Sequence, residues 1–482
     1  MTASAAARTE EPGLIERYFK LRENRTTIGT EVIGGVTTFF VMAYIIALNP
    51  IILNYVGVKD LQDKNLGPGF AQTVAMTALC AGILTIAMGL YANRPFAMAA
   101  GLGLNAVVAY QLVLGKPPLP WPAAMGIILL EGIAITILVL TNLREAILNA
   151  IPLALKRAIG VGIGLFILLI GLVNAGVVVR GTGTVVTLSG LNSGPILTFV
   201  IGLLLTLLLF ARGIKGALLL GIVGTTIIAG LLHALIGGYV PSTAPDTAVL
   251  PATWVQAPDF SNAGRGLNLD AFAIVGPVAA LLAVFTIMLS DFFDTMGTVV
   301  GIGGQAGWLD ERGRLPGIRR ILLVDSIGAA FGGLMSASSN TTYIESAAGV
   351  SSGARTGLAS VVTGVLFLLA MFLAPVVAVI PPEATAPALI IVGFLMAGIA
   401  SKIDFSDLTE GLPALLTIVV MPFTYSITNG VGAGFVSYAF LKLVTGRARD
   451  VHPLLWIVVV AFVLYFTQAL YAPLFNIGPY RE

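Results

Sequence analysis

Charge is what this sequence has least of: Asp, Glu, Lys and Arg make up 10% of its 482 residues, against 57% hydrophobic ones. So little charge excludes the solvated surface of an ordinary soluble domain. Cysteine and histidine are nearly missing too. Cys80 is the one cysteine and sits in an apolar run, which excludes an intramolecular disulfide and leaves no thiolate set to hold a metal. His233 and His452 stand at the ends of separate apolar runs and do not pair into a metal site by spacing. There is no Gly-Lys-Ser/Thr phosphate loop, and no strand precedes glycine-rich pieces such as GVGIG at 160–164, for which helix packing is the better account. No basic run interleaves with aromatics, so nucleic acid is not a partner, and no cofactor is expected.

What is present is apolar sequence of membrane-spanning length. Mean hydropathy is +0.95. Continuous apolar blocks fall at 29–53, 70–91, 96–113, 121–141, 157–174, 195–211, 215–236, 271–301, 319–336, 344–354, 356–380, 386–401, 411–427 and 430–446, here segments one to fourteen. Such blocks predict an all-α polytopic membrane protein, and their lack of alternation argues against a β-barrel. A further apolar block at 454–472 either crosses or lies in the interface.

Residues 1–28 are polar and charged, with no short apolar region ending in a cleavage site, so insertion is expected to use segment one itself. Placing that end inside puts twenty of the 26 Lys and Arg residues on the inner side and five on the outer. That asymmetry predicts a multi-pass cell (plasma or inner) membrane protein with a cytoplasmic N-terminus. Residues 13–22, GLIERYFKLR, set Leu14, Ile15, Tyr18 and Phe19 on one helical side, which suits a short helix on the inner membrane surface or a frayed tail.

The outer loop at 175–194 has β-branched runs flanking RGTG and reads as a small hairpin. The loop at 237–270 is rich in Pro, Ser, Thr and Asn and divides the chain into two similar halves of seven segments. An odd number per half starts the second half on the opposite side of the membrane, so the repeat is inverted. Segments three and ten hold matching positions and both are short and glycine-broken, NRPFAMAAGLGLNA (93–106) and SSNTTYIESAAGV (338–350). A pair of interrupted segments in inverted halves points to a transporter's midplane binding site.

The candidate site residues follow from where charge is expensive. Asp291 and Asp294 in segment eight and Glu345 in segment ten are carboxyl groups inside apolar sequence, which marks function by default. Asp291 and Asp294, three residues apart, lie on neighbouring helical faces, so one can face substrate while the other binds segment ten or a proton. All three are candidate proton carriers. Gly101 and Gly103 allow close approach of the chain, and the Asn105 amide can both donate and accept. Asp325 in segment nine is read as a structural partner to segment eight or ten.

At these residues the sequence resembles the nucleobase-cation symporter 2 family, the xanthine/uracil permeases, and within it the AzgA-like branch of adenine, guanine and hypoxanthine permeases. The strings that carry the resemblance are GGVTTFFVMAYIIALNP (34–50), PFAMAAGLGLNA (95–106), SDFFDTMGT (290–298) and NTTYIESAAGV (340–350). It implies a fold of seven plus seven inverted helices, with segments three and ten discontinuous and holding short strands. It also implies a core at 29–141 and 271–380 and a gate at 142–236 and 381–450. These are set beside a cytoplasmic stretch at 1–28, an extracellular loop at 237–270 and an extra apolar segment at 451–482. The family implies substrate held by Asp291 and Glu345, with the Ile344 backbone, Asn105, Gly103 and Tyr343 nearby, and a homodimer through the gate. The Gln-His motif of the xanthine/ascorbate branch is absent; TTFF (37–40) stands in its region, which argues against xanthine or uric acid and leaves Phe39 or Phe40 as stacking partners.

The implied function is import of a purine nucleobase by proton symport, sodium being the less favoured ion, through an elevator or rocking motion. On the residues alone two other readings stand beside it. One is an inorganic anion carrier of the same architecture, which buried carboxylates argue against. The other is an intramembrane aspartyl hydrolase, for which no GxGD-type string is present.

Overall fold

The structure, a computed structural model, describes residues 13–58, 60–61, 64–141, 150–236, 239–310 and 315–467. It is a membrane bundle of seven plus seven inverted segments. Ten of its helices are long and apolar enough to cross a bilayer, among the described residues. The predicted segments all appear, and several are broken where the sequence dictates. Segment one is two helices, Ile28–Met42 and Ile45–Leu53, because the chain tightens to shorter-range bonds (Ile46 N–H to Ala43, Ala47 N–H to Tyr44) just ahead of Pro50. Segment eight starts later than its apolar block: Gly276, at φ +81°, ends the short Ala271–Ile274 turn and Pro277 begins the Pro277–Gln305 helix.

Helix starts are capped where polar residues precede them. Thr27 accepts from Thr30 N–H at 3.2 Å, and Ser426 accepts from Asn429 N–H at 3.1 Å ahead of Ile427–Val444. Glu31 is fully buried and accepts from the Arg355 and Thr356 N–H groups at 2.8 and 3.2 Å, pinning the end of segment ten to segment one. Glu383 at the start of segment twelve does the same for the long loop, accepting from Ser242 Oγ (2.6 Å) and from Thr243 N–H and Oγ1 (2.8 and 2.9 Å). The expected hairpin is there, as strands β2 (Val178–Val179) and β3 (Thr187–Leu188). The surface helix at the N-terminus is Leu14–Phe19, with Leu14, Ile15 and Tyr18 exposed and Phe19 buried.

The segments pack as two groups. In one, segment nine runs along segment four, segment eleven against segments one and two, and segment eight against segment four. In the other, segment twelve runs along five and six, thirteen along five and fourteen, and seven along six. Small residues set the closest approaches. A Cβ on Gly132 would run into the backbone of Ala330, which is how segments four and nine come close enough to bury polar groups between them. Gly132→Leu should therefore remove most of the folded protein from membranes, read as a loss of monodisperse material after extraction, whereas Ile137→Leu on the exposed side of the same helix should not.

Residues Pro453–Phe466 of the extra apolar block form a fourteen-residue helix, about 21 Å long and short of a full crossing. It runs back along segment fourteen: Phe462 stacks edge-on with Phe435 at 6.1 Å and Tyr465 reaches Asn429. Residues 468–472 of that block lie outside the described residues.

Candidate functional site

Segments three and ten meet at the centre of the bundle as strands. Strand β1 (Met98–Ala100) pairs antiparallel with β4 (Asn340–Thr342), Met98 opposite Thr342 and Ala100 opposite Asn340. Gly101 N–H to Ser339 carbonyl and Tyr343 N–H to Ala97 carbonyl, both 2.9 Å, extend the ladder at its ends. In a membrane every extended N–H and C=O needs a partner, and two broken segments supply each other's. Each strand then turns into a short helix, Leu102–Ala106 and Ser346–Ser351, with Glu345 immediately before the latter.

Where strands give way to helices there is a cavity of about 90 Å³ between the two groups of segments. From the first group, Gly101, Gly103, Tyr343, Ile344 and Glu345 line it, joined by Ser290, Asp294 and Thr298 of segment eight. Those three are spaced four apart and make one stripe of the helix. The facing wall is apolar: Ile163, Ile167, Val392 and Met396 of segments five and twelve. Gly103 has to be small, since a Cβ there would stand 2.8 Å from Ile163 Cγ2. Tyr44, in the break of segment one, reaches the cavity as well, and its hydroxyl donates to Glu345 Oε1 at 2.5 Å. The Tyr343 hydroxyl donates to the Ala100 carbonyl at 2.5 Å, which turns its ring along the cavity wall.

The sequence-predicted residues thus divide. Glu345, Asp294, Gly103, Ile344 and Tyr343 converge on the cavity; Asp291, Asn105 and Phe40 do not line it. Asp291 is fully buried on the neighbouring stripe of segment eight, toward Glu131 of segment four. Asn105 is also fully buried one turn beyond Gly101, and neither atom of its amide meets a hydrogen-bond partner. Phe40 is 54% exposed on the outside of segment one, while Phe39 packs edge-on against Phe367 at 5.1 Å. The aromatic groups at the cavity are Tyr44 and Tyr343.

Asp325 ties segments together: it accepts from Thr295 Oγ1 (2.7 Å) in segment eight and from Thr342 N–H (2.8 Å) and Oγ1 (2.7 Å) in β4. Sequence reasoning passed over Tyr44, Ser290, Thr298 and Glu131. The four-residue spacing of Ser290, Asp294 and Thr298 was a readable signal. So was Glu131, the one charged residue of segment four. Tyr44 gave none, being one aromatic among many.

Residues 29–432 match the family model of the xanthine/uracil permeases, described as a permease family. The chain belongs to that family. The permease is 39% identical over 464 residues to adenine permease AdeP of Escherichia coli, covering 96% of this chain and 98% of AdeP. It is 38% identical over 459 residues to guanine/hypoxanthine permease PbuG of Bacillus subtilis, covering 94% and 99%. Among solved structures, the transmembrane domain of the cyanobacterial bicarbonate transporter BicA superposes with a TM-score of 0.60 at 17% identity, covering 83% of the permease and 97% of BicA, a likeness of fold. Family membership makes this protein a multi-pass membrane transporter of nucleobases and not an enzyme.

Proposed function

We propose that the permease imports purine bases (adenine, guanine or hypoxanthine) across the cell membrane by proton symport, with its N-terminus in the cytoplasm. The observation that carries the substrate class is the cavity's asymmetry. Two carboxyl groups, Asp294 and Glu345, stand on one side and an apolar wall of Ile163, Ile167, Val392 and Met396 on the other. A purine is flat, with adjacent N–H and exocyclic amino donors at its edge; a carboxylate accepts them with charge-assisted bonds, and aliphatic side chains cover the ring face. The same pair of carboxylates repels an inorganic anion. The names of AdeP and PbuG, a permease for adenine and one for guanine/hypoxanthine, support the same class. Asn105, buried beside the cavity with an unpaired amide, has hydrogen-bonding capacity to spare for a base that reaches it.

In this reading the first group of segments is the core that carries the base and the second is the gate, and the two move past each other. The motion has a closed end. Gln111 of segment three donates to Thr428 Oγ1 at 2.6 Å and accepts from Ile427 N–H at 2.8 Å, and Thr286 of segment eight meets Thr428 at 2.8 Å. These bonds join core to gate at a polar cavity of about 410 Å³ on the outer side. Gln111→Leu should loosen this closure. With the buried native Cys80 silent, Asn429→Cys in that cavity should react with a membrane-impermeant thiol reagent several-fold faster in the Gln111→Leu background. An unchanged rate would remove Gln111 from the closure. Segments six and seven expose Leu204, Leu208, Ile227 and Leu231, a surface open to lipid and to a second copy, and cross-linking in native membranes tests for the homodimer.

Binding tests the substrate class directly. The purified permease should bind adenine, guanine or hypoxanthine, and neither bicarbonate nor sulfate, in a calorimetric titration. Binding of an anion and of no base would overturn the assignment.

A further inference from the structure

Behind the cavity, on the other side of β4, a second set of carboxyl groups is enclosed. Glu131 of segment four, Asp291 of segment eight and Asp325 of segment nine face one another there. Their relative exposures are 0%, 0% and 3%. They are not equivalent. Asp325 accepts the three bonds from Thr295 and Thr342 described above, an environment that suits an ionised carboxylate. Asp291 is the opposite case: among the described residues no hydrogen bond forms to either oxygen, and its polar neighbours are the Glu131 carboxyl and the Thr341 hydroxyl, itself bonded to Thr295. Glu131 is little better off, with Oε1 unpartnered and Oε2 reached only by the Ser339 hydroxyl at 3.4 Å.

The elements that enclose them bring no basic side chain to offset these charges. The stretches 121–141, 277–305 and 321–351, which supply the surrounding helices and strand, contain no Lys, Arg or His. Nor, among the described residues, is there a cluster of three or more His, Cys, Asp or Glu that could hold a metal ion. The carboxyl that Asp291 faces is that of Glu131. Two facing carboxylates both ionised repel in a medium with little screening; with one proton between them they attract, and the orphaned oxygens acquire a partner.

We infer that Glu131 and Asp291 form an acid pair sharing one proton, and that this pair, set apart from the cavity that receives the base, holds the coupling proton. The inference rests on the reading of the protein as a proton-driven base carrier. The pair is wired to the cavity by two short routes. Asp291 and the cavity residue Asp294 lie three residues apart on one helix. Thr341 of β4 bonds Thr295 at 2.7 Å, and its strand runs on through Tyr343 to Glu345. The titratable groups facing the pair are Asp325 from segment nine and Asp294 from its own helix; segment ten faces it with the hydroxyls of Ser339 and Thr341. Loss of the proton would leave two adjacent charges beside Asp325 with nothing to offset them. Segments four and eight would be forced apart, and β4, which positions the cavity residues, would shift with them. Base is therefore held tightly only while the pair is protonated. Above the pair's titration, base affinity falls by about tenfold per pH unit, as for one linked proton.

The test has two readouts, the first independent of any base. Infrared spectra of the full-length protein in lipid should show a protonated-carboxyl stretch at neutral pH that disappears in both Glu131→Gln and Asp291→Asn, since an amide can donate to the remaining carboxylate without a proton. Hypoxanthine and adenine titrations should then show affinity declining with pH in the native protein and flat in Glu131→Gln, with Glu131→Asp restoring the slope. A native protein lacking that stretch, or one whose stretch survives both substitutions, overturns the pair. So does a sodium-dependent stabilisation that replaces the pH dependence. If the stretch behaves as expected and no base binds, the pair stands and the substrate reading fails.

Discussion

Replacing Glu345 by Gln should abolish accumulation of purine base while leaving the protein in the membrane in normal amount. Glu345 lines the cavity, and its carboxyl, whose Oε1 accepts from the Tyr44 hydroxyl at 2.5 Å, is an acceptor that a base in the cavity meets. The charge-assisted bond that Gln cannot reproduce is worth about 1.5–3 kcal/mol, or roughly 10–150-fold in affinity. Gln also brings an amino group that confronts the donors of the base, so the loss falls at the upper end. Asp294→Asn should behave alike, being the only other carboxyl on the cavity wall among the described residues. Tyr44→Phe removes one neutral donor to Glu345 and should cost less, about tenfold or under, in the same uptake assay. Full uptake by both carboxyl variants would mean that the base sits elsewhere.

The second large effect is on folding. Asp325→Ala should prevent accumulation of folded protein, or lower its unfolding temperature steeply. Asp325 collects Thr295 Oγ1, Thr342 N–H and Thr342 Oγ1 at 2.7–2.8 Å in a site that water does not reach. Deleting one partner of such a buried charged network costs about 3–5 kcal/mol, since the others are left unpaired. The damage would centre on β4, whose Thr342 N–H is held by that carboxylate. A thermal-stability scan of detergent-extracted protein reads this out, with Asp407→Ala at the exposed start of segment thirteen as the mild comparison, where the Thr409 N–H and hydroxyl bonds and an exposed 3.9 Å ion pair with Arg447 are lost. Equal stabilities would show that Asp325 does not organise β4.

Much of this is legible in the sequence. Apolar block length gave the segments, and the glycine breaks in segments three and ten predicted the strand–helix junctions that now pair as β1 and β4. Carboxyl groups in apolar sequence singled out Asp291, Asp294 and Glu345, because the membrane makes an idle charge costly, and of these Asp294 and Glu345 line the cavity. What a one-dimensional reading lacked was rotation about the helix axis. Asp291 and Asp294 differ by about 60°, and only the packing of segment four against segment eight decides which looks into the cavity. Phe40 was a candidate because of its place in the chain, yet the break at Ala43–Tyr44 turns Tyr44 inward and leaves Phe40 on the outer surface. Glu131 was overlooked for the converse reason: it has no neighbour in sequence, and its partner comes from 160 residues further along the chain.

The central claim is tested most directly by uptake of radiolabelled adenine, guanine, hypoxanthine, xanthine and uracil into proteoliposomes holding the purified protein, with and without an inward proton gradient. The membrane potential alone supplies about 2.3 kcal/mol per charge per 100 mV, enough for one co-transported proton to drive visible accumulation. Adenine, guanine or hypoxanthine should accumulate, and a protonophore should collapse the accumulation. Uptake of none of the bases, or accumulation that persists with the gradient dissipated, would contradict the account.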